Sequence, residues 1–362
     1  MMLVINNIKH YGFRASTLNL TMTNRIFTRI QWHRQILSHV KNISAQAGPP
    51  WSVLFFGTDD FALQSLKLLY TEYETRELLC RLEVVTSYHG KENHVTKFAK
   101  QHHIQLHHWP PKISLDNFHI GLVVSFGHLI PLDMISSFPL GMLNVHGSLL
   151  PRWRGAAPII YTLMNGDSET GVSIMKIMPK VFDIGEVLAQ SKIEVRDDET
   201  MPELRTRMSQ LGANLLLDTV RKLPNILESA KPQSNDGITY APRVTSKLSL
   251  VKWNEMTAKR VFDLYRALYD LYPLTTKFMG LTIKLLEIEL LKDPPLGNNS
   301  SNHLPGLVMY SKDLDRLVVH CRDNSWITVG KIGYPGRPPM SARDFHNGFL
   351  YKNKQKKSFF EG

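Results

Sequence analysis

The segment Met142-Leu-Asn-Val-His-Gly-Ser-Leu-Leu-Pro-Arg-Trp-Arg-Gly-Ala-Ala-Pro158 holds the residue types best suited to chemistry. A short apolar strand there delivers Asn144 and His146 to its carboxyl end, two residues apart, so strand alternation turns both side chains to one side. An amide donor and an imidazole aimed at one point suit the oxyanion that forms during acyl transfer. Histidine's ordinary pKa near 6.5 leaves such a ring undecided at cellular pH, so a carboxylate is needed to orient it and raise its basicity. Asp183 is the candidate, in Lys180-Val-Phe-Asp-Ile-Gly-Glu186, where Gly185 lets the backbone come close. Asp near Gly is also common in plain turns, and a lone strand histidine is more often a satisfied core residue. What core packing does not explain is Asn-x-His running straight into Gly-Ser, Leu-Leu-Pro and Arg-x-Arg-Gly.

Such residues need a scaffold, and from Trp51 the chain alternates strands and helices. The run Val53-Leu54-Phe55-Phe56, a turn at Gly57 and a helix carrying Phe61, Leu63, Leu66 and Leu69 form a β-turn-α unit. Strand-like runs follow at 82–85, 121–126, 142–145 and 171–178, with helical stretches between most of them. This pattern predicts an α/β fold: an open, mostly parallel sheet with helices on both faces, whose ligands bind at the carboxyl ends of the strands. The first turn lacks the G-x-G-x-x-G fingerprint, so a nicotinamide cofactor is not supported. Thr200 and Glu203 form a capping box for a long helix that ends before Pro224. Beyond a polar, turn-rich stretch from Lys231 to Gly237, a helix at 257–269 gives way to β-rich runs at 276–288, 307–310, 317–321 and 326–329. Short strands in a small domain predict a β-barrel. The organisation expected is a leader at 1–50, a catalytic domain at 51–229, a linker at 230–246, a barrel domain at 247–350 and a basic, frayed tail at 351–362.

The formal net charge of +11 is unevenly spread. Residues 1–50 carry six Lys or Arg and no acidic side chain, in a background of Ser, Thr, Asn and apolar residues. That is the pattern of a mitochondrial transit peptide able to form a basic amphipathic helix. From Lys247 onward 18 basic side chains face 11 acidic ones, leaving the middle of the chain nearly neutral. A basic second domain points to an acidic partner such as nucleic acid. No apolar run is long enough for a membrane span. The two cysteines, Cys80 and Cys321, suggest neither a disulfide framework nor a zinc site. His102, His103, His107 and His108 lack a cysteine or well-spaced carboxylate to join them and read as an exposed loop rather than a metal site.

These segments resemble the folate-dependent formyltransferases, and within them the methionyl-tRNA formyltransferases of mitochondrial type. The likeness begins at Val53-Leu-Phe-Phe-Gly-Thr-Asp-Asp-Phe-Ala62, passes through Val123-Val-Ser-Phe-Gly127, is nearly unbroken from Asn144 to Pro158, and continues in Asp167-Ser-Glu-Thr-Gly-Val172 and Asp183-Ile-Gly185. It resumes with Thr239-Tyr-Ala241, Lys247-Leu and Met340-Ser-Ala342. The resemblance implies that Asn144, His146 and Asp183 are catalytic and that Ser148, Leu149, Leu150 and Pro151 line the site of 10-formyltetrahydrofolate, with no metal. It implies a C-terminal oligonucleotide-binding-like barrel that contacts initiator methionyl-tRNA; Arg152 and Arg154 are the candidate contacts outside the barrel. A monomer in the mitochondrial matrix, serving translation initiation, is expected. The chain departs from bacterial members in a short Ser87–His94 connection, in Asp59 where proline is usual, and in Asp270-Leu-Tyr-Pro273. Two rival readings are a related enzyme formylating a small amine, and an inactive tRNA- or folate-binding protein.

Overall fold

The computed structural model describes residues 48–179, 182–292, 303–351 and 357–362; the transit-peptide reading of the leader and the lysines at 354 and 356 therefore lie outside the described residues. Strand β1 (Trp51–Gly57) is buried along its whole length. Val53 and Phe55 enter one core while Leu54 and Phe56 enter another, so the strand reads as continuously apolar because both faces of the sheet are covered. Strands β2 (Leu79–Thr86), β3 (Gln105–His108), β4 (Ile120–Val124) and β5 (Met142–His146) join it in parallel. Strands β6 (Glu169–Lys176) and β7 (Val187–Glu194) complete it antiparallel, in the order β3-β2-β1-β4-β5-β6-β7. The chain steps outward from β1 to β3 and then returns to β4. The strand order thus reverses between β1 and β4, which opens a crevice at their carboxyl ends.

Helices α1 (Asp60–Thr75), α2 (His94–Gln101) and the long α5 (Met201–Arg221) pack on one face. The other face is closed by one-turn helix α3 (Leu132–Ser136) together with loop side chains such as Phe118, Phe126 and Phe138. Helix α4 (Pro158–Met164) follows β5. At the start of α5 the Glu203 carboxylate accepts from the N–H of Thr200 at 2.8 Å and from its hydroxyl at 2.6 Å. These bonds hold Glu203 below its ordinary carboxylate pKa.

The second domain begins with α6 (Ala258–Leu268). Strands β8 (Leu274–Phe278), β9 (Leu281–Leu291), β10 (Leu307–Ser311), β11 (Arg316–His320), β12 (Trp326–Gly333) and the two-residue β13 (Met340–Ser341) follow, then α7 (Ala342–Phe345) and β14 (Ser358–Phe359). The order is β14-β10-β11-β12-β9-β8, and paired backbone bonds of 2.8 and 2.9 Å between Lys277 and Glu361 tie the two ends of the sheet together. This curled antiparallel sheet is the expected barrel. One core runs through both domains. Helix α6 docks on the first domain through Arg266, 2% exposed, whose Nη1 donates to the carbonyls of Arg196 at 3.0 Å and Glu199 at 3.3 Å.

Four expectations need correction. His107 and His108 are not in an exposed loop but in the edge strand β3, where His107 Nε2 meets Glu83 Oε2 at 2.6 Å. His102 caps α2 and packs on Phe98. The run at 276–288 is a hairpin, broken at Met279-Gly280. The chain end is not frayed throughout: Phe360 is buried against Trp253 and Phe278, so apolar burial outweighs the lysines before it. Finally, the stretch 230–246 is no slack linker, because its polar groups bond the backbone of the first domain, as described next.

Candidate active site

A cavity of about 600 Å³ lies at the carboxyl ends of β1, β4 and β5, at the reversal of strand order. Asn144, His146 and Asp183 all line it. Asn144 and His146 emerge from β5 on the same face as Met142, and His146 is buried. The loop between β6 and β7 brings Asp183 back to the imidazole. Gly185 permits that path, since any Cβ there would sit 1.8 Å from the Lys176 carbonyl oxygen. Asp183 itself adopts φ 56, a left-handed conformation that aspartate tolerates better than most residues.

The two ring nitrogens of His146 have different partners. Nε2 lies 2.9 Å from the Trp153 carbonyl, which can only accept, so a neutral ring carries its proton there. Nδ1 faces Asp183 Oδ1 at 3.6 Å, and Asp183 Oδ2 accepts the Gly155 N–H at 2.9 Å. Two acceptors, an imidazole lone pair and a carboxylate, therefore face one another. A proton delivered between them would satisfy both, which is the arrangement a general base requires.

The surrounding loops are tied down by backbone bonds. Gln233 donates to the carbonyls of Asp183 and Gly185, both at 2.9 Å, and its Oε1 accepts from Arg154 at 2.9 and 2.7 Å. Trp153 N–H donates to Thr239 Oγ1 at 2.8 Å, Arg154 N–H to Thr239 O at 2.9 Å and Ala241 N–H to Arg154 O at 2.7 Å. Gly155 is needed beside this strap, because its φ is 127 and a Cβ would lie 2.6 Å from the Ala241 carbonyl oxygen.

Other sequence expectations fare differently. Ser148, Leu149, Leu150 and Pro151 form the turn that follows His146 and are not among the side chains lining this cavity. Ser148 Oγ donates to Arg152 O at 2.6 Å, and Leu150 is held by Ser173 and Gln190. Arg152 is spent on Asp167, with bonds of 2.7 and 2.5 Å that hold its guanidinium above its ordinary pKa, and it lies over the Trp153 ring. Arg154 donates to the neutral amide oxygen of Gln233, which orients its guanidinium without offsetting its charge. Reasoning from sequence missed the Asp59 junction at the rim. Asp59 Oδ1 accepts the Ala62 N–H at 3.1 Å as the cap of α1, while Oδ2 accepts from Ser125 Oγ and Arg205 Nη2, each at 2.6 Å. The capping signal was visible; the partners, 66 and 146 residues away, were not. Among the described residues no group of three His, Cys, Asp or Glu is placed to hold a metal ion.

Two family models match the chain: formyl transferase over residues 112–220 and formyl transferase, C-terminal domain, over 243–350. Over 319 residues it is 41% identical to the mitochondrial methionyl-tRNA formyltransferase of Homo sapiens, spanning 86% of this chain and 80% of that protein. The chain belongs to the methionyl-tRNA formyltransferase family. The same enzyme of Rattus norvegicus is 42% identical over 86% of this chain and 81% of its own length. A methionyl-tRNA formyltransferase of Thermodesulfovibrio yellowstonii is 30% identical over 82% and 95%. Solved structures agree on the fold. A sugar 3N-formyl transferase crystallised with dTDP and 5-N-formyl-THF superposes with a TM-score of 0.57 at 18% identity, covering 80% of this chain and 100% of its own. The methionyl-tRNA formyltransferase fold thus places Asn144, His146 and Asp183 in one crevice, with the barrel docked beside it.

Proposed function

We propose that this chain formylates methionyl-tRNA for mitochondrial translation initiation, with 10-formyltetrahydrofolate as donor and the catalysis carried by Asn144, His146 and Asp183. The observation that carries the mechanism is the facing pair of acceptors, His146 Nδ1 and Asp183 Oδ1, 3.6 Å apart. The neutral methionyl amine attacks the formyl carbon, the carbonyl oxygen gains negative charge, and the Asn144 amide donates to it. The amine sheds a proton to Nδ1, because Nε2 is already occupied by the Trp153 carbonyl. The resulting imidazolium is stabilised by Asp183, whose geometry the Gly155 N–H fixes. Collapse breaks the carbon–N10 bond, and the proton returns to N10 of tetrahydrofolate.

The cavity size falls in the range of small-molecule sites, and its wall of Phe126, Ile130, Ile159 and Met175 is apolar enough for a pterin ring system. Ser148, Leu149, Leu150 and Pro151, in the turn directly after His146, are the further residues proposed to contact the formylfolate. The three catalytic side chains come from one chain, so a monomer suffices. The acid-free basic leader and the mitochondrial relatives support a location in the matrix. The test is formylation of methionyl-tRNA by purified protein supplied with 10-formyltetrahydrofolate. Turnover with a free amino sugar or glycinamide ribonucleotide, and none with methionyl-tRNA, would overturn the reading.

A further inference from the structure

Two large aromatic rings stand in solvent beside the cavity: Phe182, 60% exposed, and Tyr240, 67% exposed. Single exposed rings are ordinary on protein surfaces. These two differ in how they are held. Tyr240 sits in the centre of the strap, between Thr239 and Ala241, whose backbone groups bond Arg154 on both sides. Thr239 also receives the Trp153 N–H, and Ala241 O receives the Ala157 N–H at 3.1 Å. The backbone is thus fixed by bonds to the segment that carries the Gly155 N–H donor, while the side chain between them is two-thirds exposed. Phe182 precedes Asp183, the residue that accepts that same N–H, and lines the cavity mouth. Arg243, three residues beyond Tyr240, is exposed as well.

The chemistry requires something at this place. In an aminoacyl ester the reacting nitrogen is four bonds from the ribose carbon, a reach of about 5 Å at ordinary bond lengths. With the amine at His146 Nδ1, the terminal nucleoside follows within that reach, and Phe182 is the chain neighbour of Asp183, whose carboxylate stands 3.6 Å from Nδ1. An unpaired base with no duplex to stack on gains most from an aromatic face.

We propose that Phe182 and Tyr240 form a stacking platform for the unpaired 3′ end of the acceptor strand, with Arg243 opposite the adjacent phosphate. The inference rests on aminoacyl-tRNA being the acceptor. The platform holds bases by their faces, so it takes the common single-stranded end of any tRNA and contributes affinity rather than discrimination.

The probe is an RNA hairpin with an unpaired 3′ tail that carries 2-aminopurine as its last base; no turnover is needed. Binding to the intact protein should quench the 2-aminopurine fluorescence. Tyr240→Ala and Phe182→Ala should each weaken hairpin binding by about 5- to 100-fold and relieve the quenching. Tyr240→Phe should behave as wild type, since stacking uses the ring and not the hydroxyl. Neither exposed ring supports the core, so unchanged thermal unfolding is expected. Unchanged quenching in both alanine variants, or no quenching with the wild-type protein, overturns the platform. If formylation of methionyl-tRNA fails while the quenching behaves as described, the acceptor assignment falls separately.

Discussion

His146 Nδ1 and Asp183 Oδ1 stand 3.6 Å apart, both as acceptors, while the opposite edge of the imidazole is fixed at 2.9 Å on the Trp153 carbonyl. That relationship assigns direction to the proton transfer. Since Trp153 O cannot donate, Nε2 holds its proton throughout, and only Nδ1 is left to act as base. Replacing His146 or Asn144 by alanine should therefore lower kcat by about 100-fold or more with little change in folding or tRNA affinity. Single-turnover formylation and a tRNA-binding isotherm for each variant check this, and near-normal turnover in either would sink the mechanism.

Asp183→Asn tests the charge apart from the geometry. The amide oxygen can still accept the Gly155 N–H, and the φ of 56 suits asparagine, so the loop should keep its shape. What is lost is the negative charge opposite the developing imidazolium. We expect kcat to fall by about 100-fold while the melting temperature stays within a few degrees. Loss of the folded state instead would make Asp183 a structural residue.

The central strands were legible from sequence because burial on both faces makes them continuously apolar, and Asn144 and His146 are brought together by strand alternation alone. The edge strands β3 and β7 were not. Gln105-Leu-His-His108 and Val187-Leu-Ala-Gln-Ser-Lys-Ile-Glu194 each expose part of their surface, so their polar residues read as loop. The strap was misread for a related reason. Gln233 and Thr239 are turn-forming residue types, and nothing local reveals that Thr239 Oγ1 accepts the Trp153 N–H 86 residues earlier, or that Gln233 bonds the Arg154 guanidinium 79 residues earlier and the carbonyls of Asp183 and Gly185. The partners of Arg152 and Arg154 were equally hidden, since Asp167 and Gln233 lie 15 and 79 residues further along the chain.

The Asp59 junction should act on donor binding and not on chemistry. It joins the caps and loops of β1, β4 and α5 at the cavity rim, away from His146. Asp59→Asn can keep one oxygen as the acceptor for the Ala62 N–H, but it puts an amide NH2 donor where Oδ2 accepted from Ser125 and Arg205, and it loses the charge that holds Arg205. Both partners are roughly a third exposed, so the ion pair contributes about 0 to 1 kcal/mol to stability. KM for the formylfolate should rise several-fold in Asp59→Asn and in Arg205→Met, with kcat within about twofold. The double variant should be no worse than either single one, because the two residues act as a pair. Steady-state kinetics with varied folate decides it, and a fall in kcat at unchanged KM would contradict the assignment.

Docking between the domains depends on a buried charge. Arg266 Nε donates to Asp263 Oδ1 at 2.8 Å while its Nη1 reaches the Arg196 and Glu199 carbonyls across the interface. Arg266→Met leaves those carbonyls without their donor and removes one of two cations from Asp263, the other being Lys259 at 2.5 Å. Breaking a buried pair on one side costs about 3 to 5 kcal/mol, and Lys259 places the expected loss near the lower figure. With an unfolding entropy of about 2.1 cal/mol/K per residue, a chain of this size should lose about 4 to 5 °C in melting temperature. Calorimetry showing a change under 2 °C would mean that apolar packing of α6 alone holds the barrel in place.

The proposal that the barrel meets tRNA can be sharpened by asking which of its cations are already neutralised. Lys331 is paired with Glu287 at 2.7 Å, Arg343 with Asp315 at 3.1 Å and Arg322 with Asp323 at 3.4 Å. Lys277 and Lys284 are exposed on adjacent strands, where Thr275 pairs with Lys284 and Lys277 with Thr282, so both project from the same outer face of the β8–β9 hairpin. A phosphate backbone lying along that face would meet two cations with no carboxylate partner among the described residues. Each phosphate contact that is lost reduces the slope of log K against log salt by about 0.7 to 0.9. Lys277→Ala with Lys284→Ala should therefore flatten the slope by about 1.4 to 1.8 and weaken tRNA binding most at low salt, with folate affinity unchanged. Lys331→Ala is the internal comparison, because its charge is offset by Glu287 and its removal should alter the slope by less than about 0.5. Isotherms at four salt concentrations separate the cases: parallel lines for the double variant and the wild type would place the tRNA elsewhere on the molecule, and an equal effect of Lys331 would mean that bulk charge rather than the hairpin face governs binding.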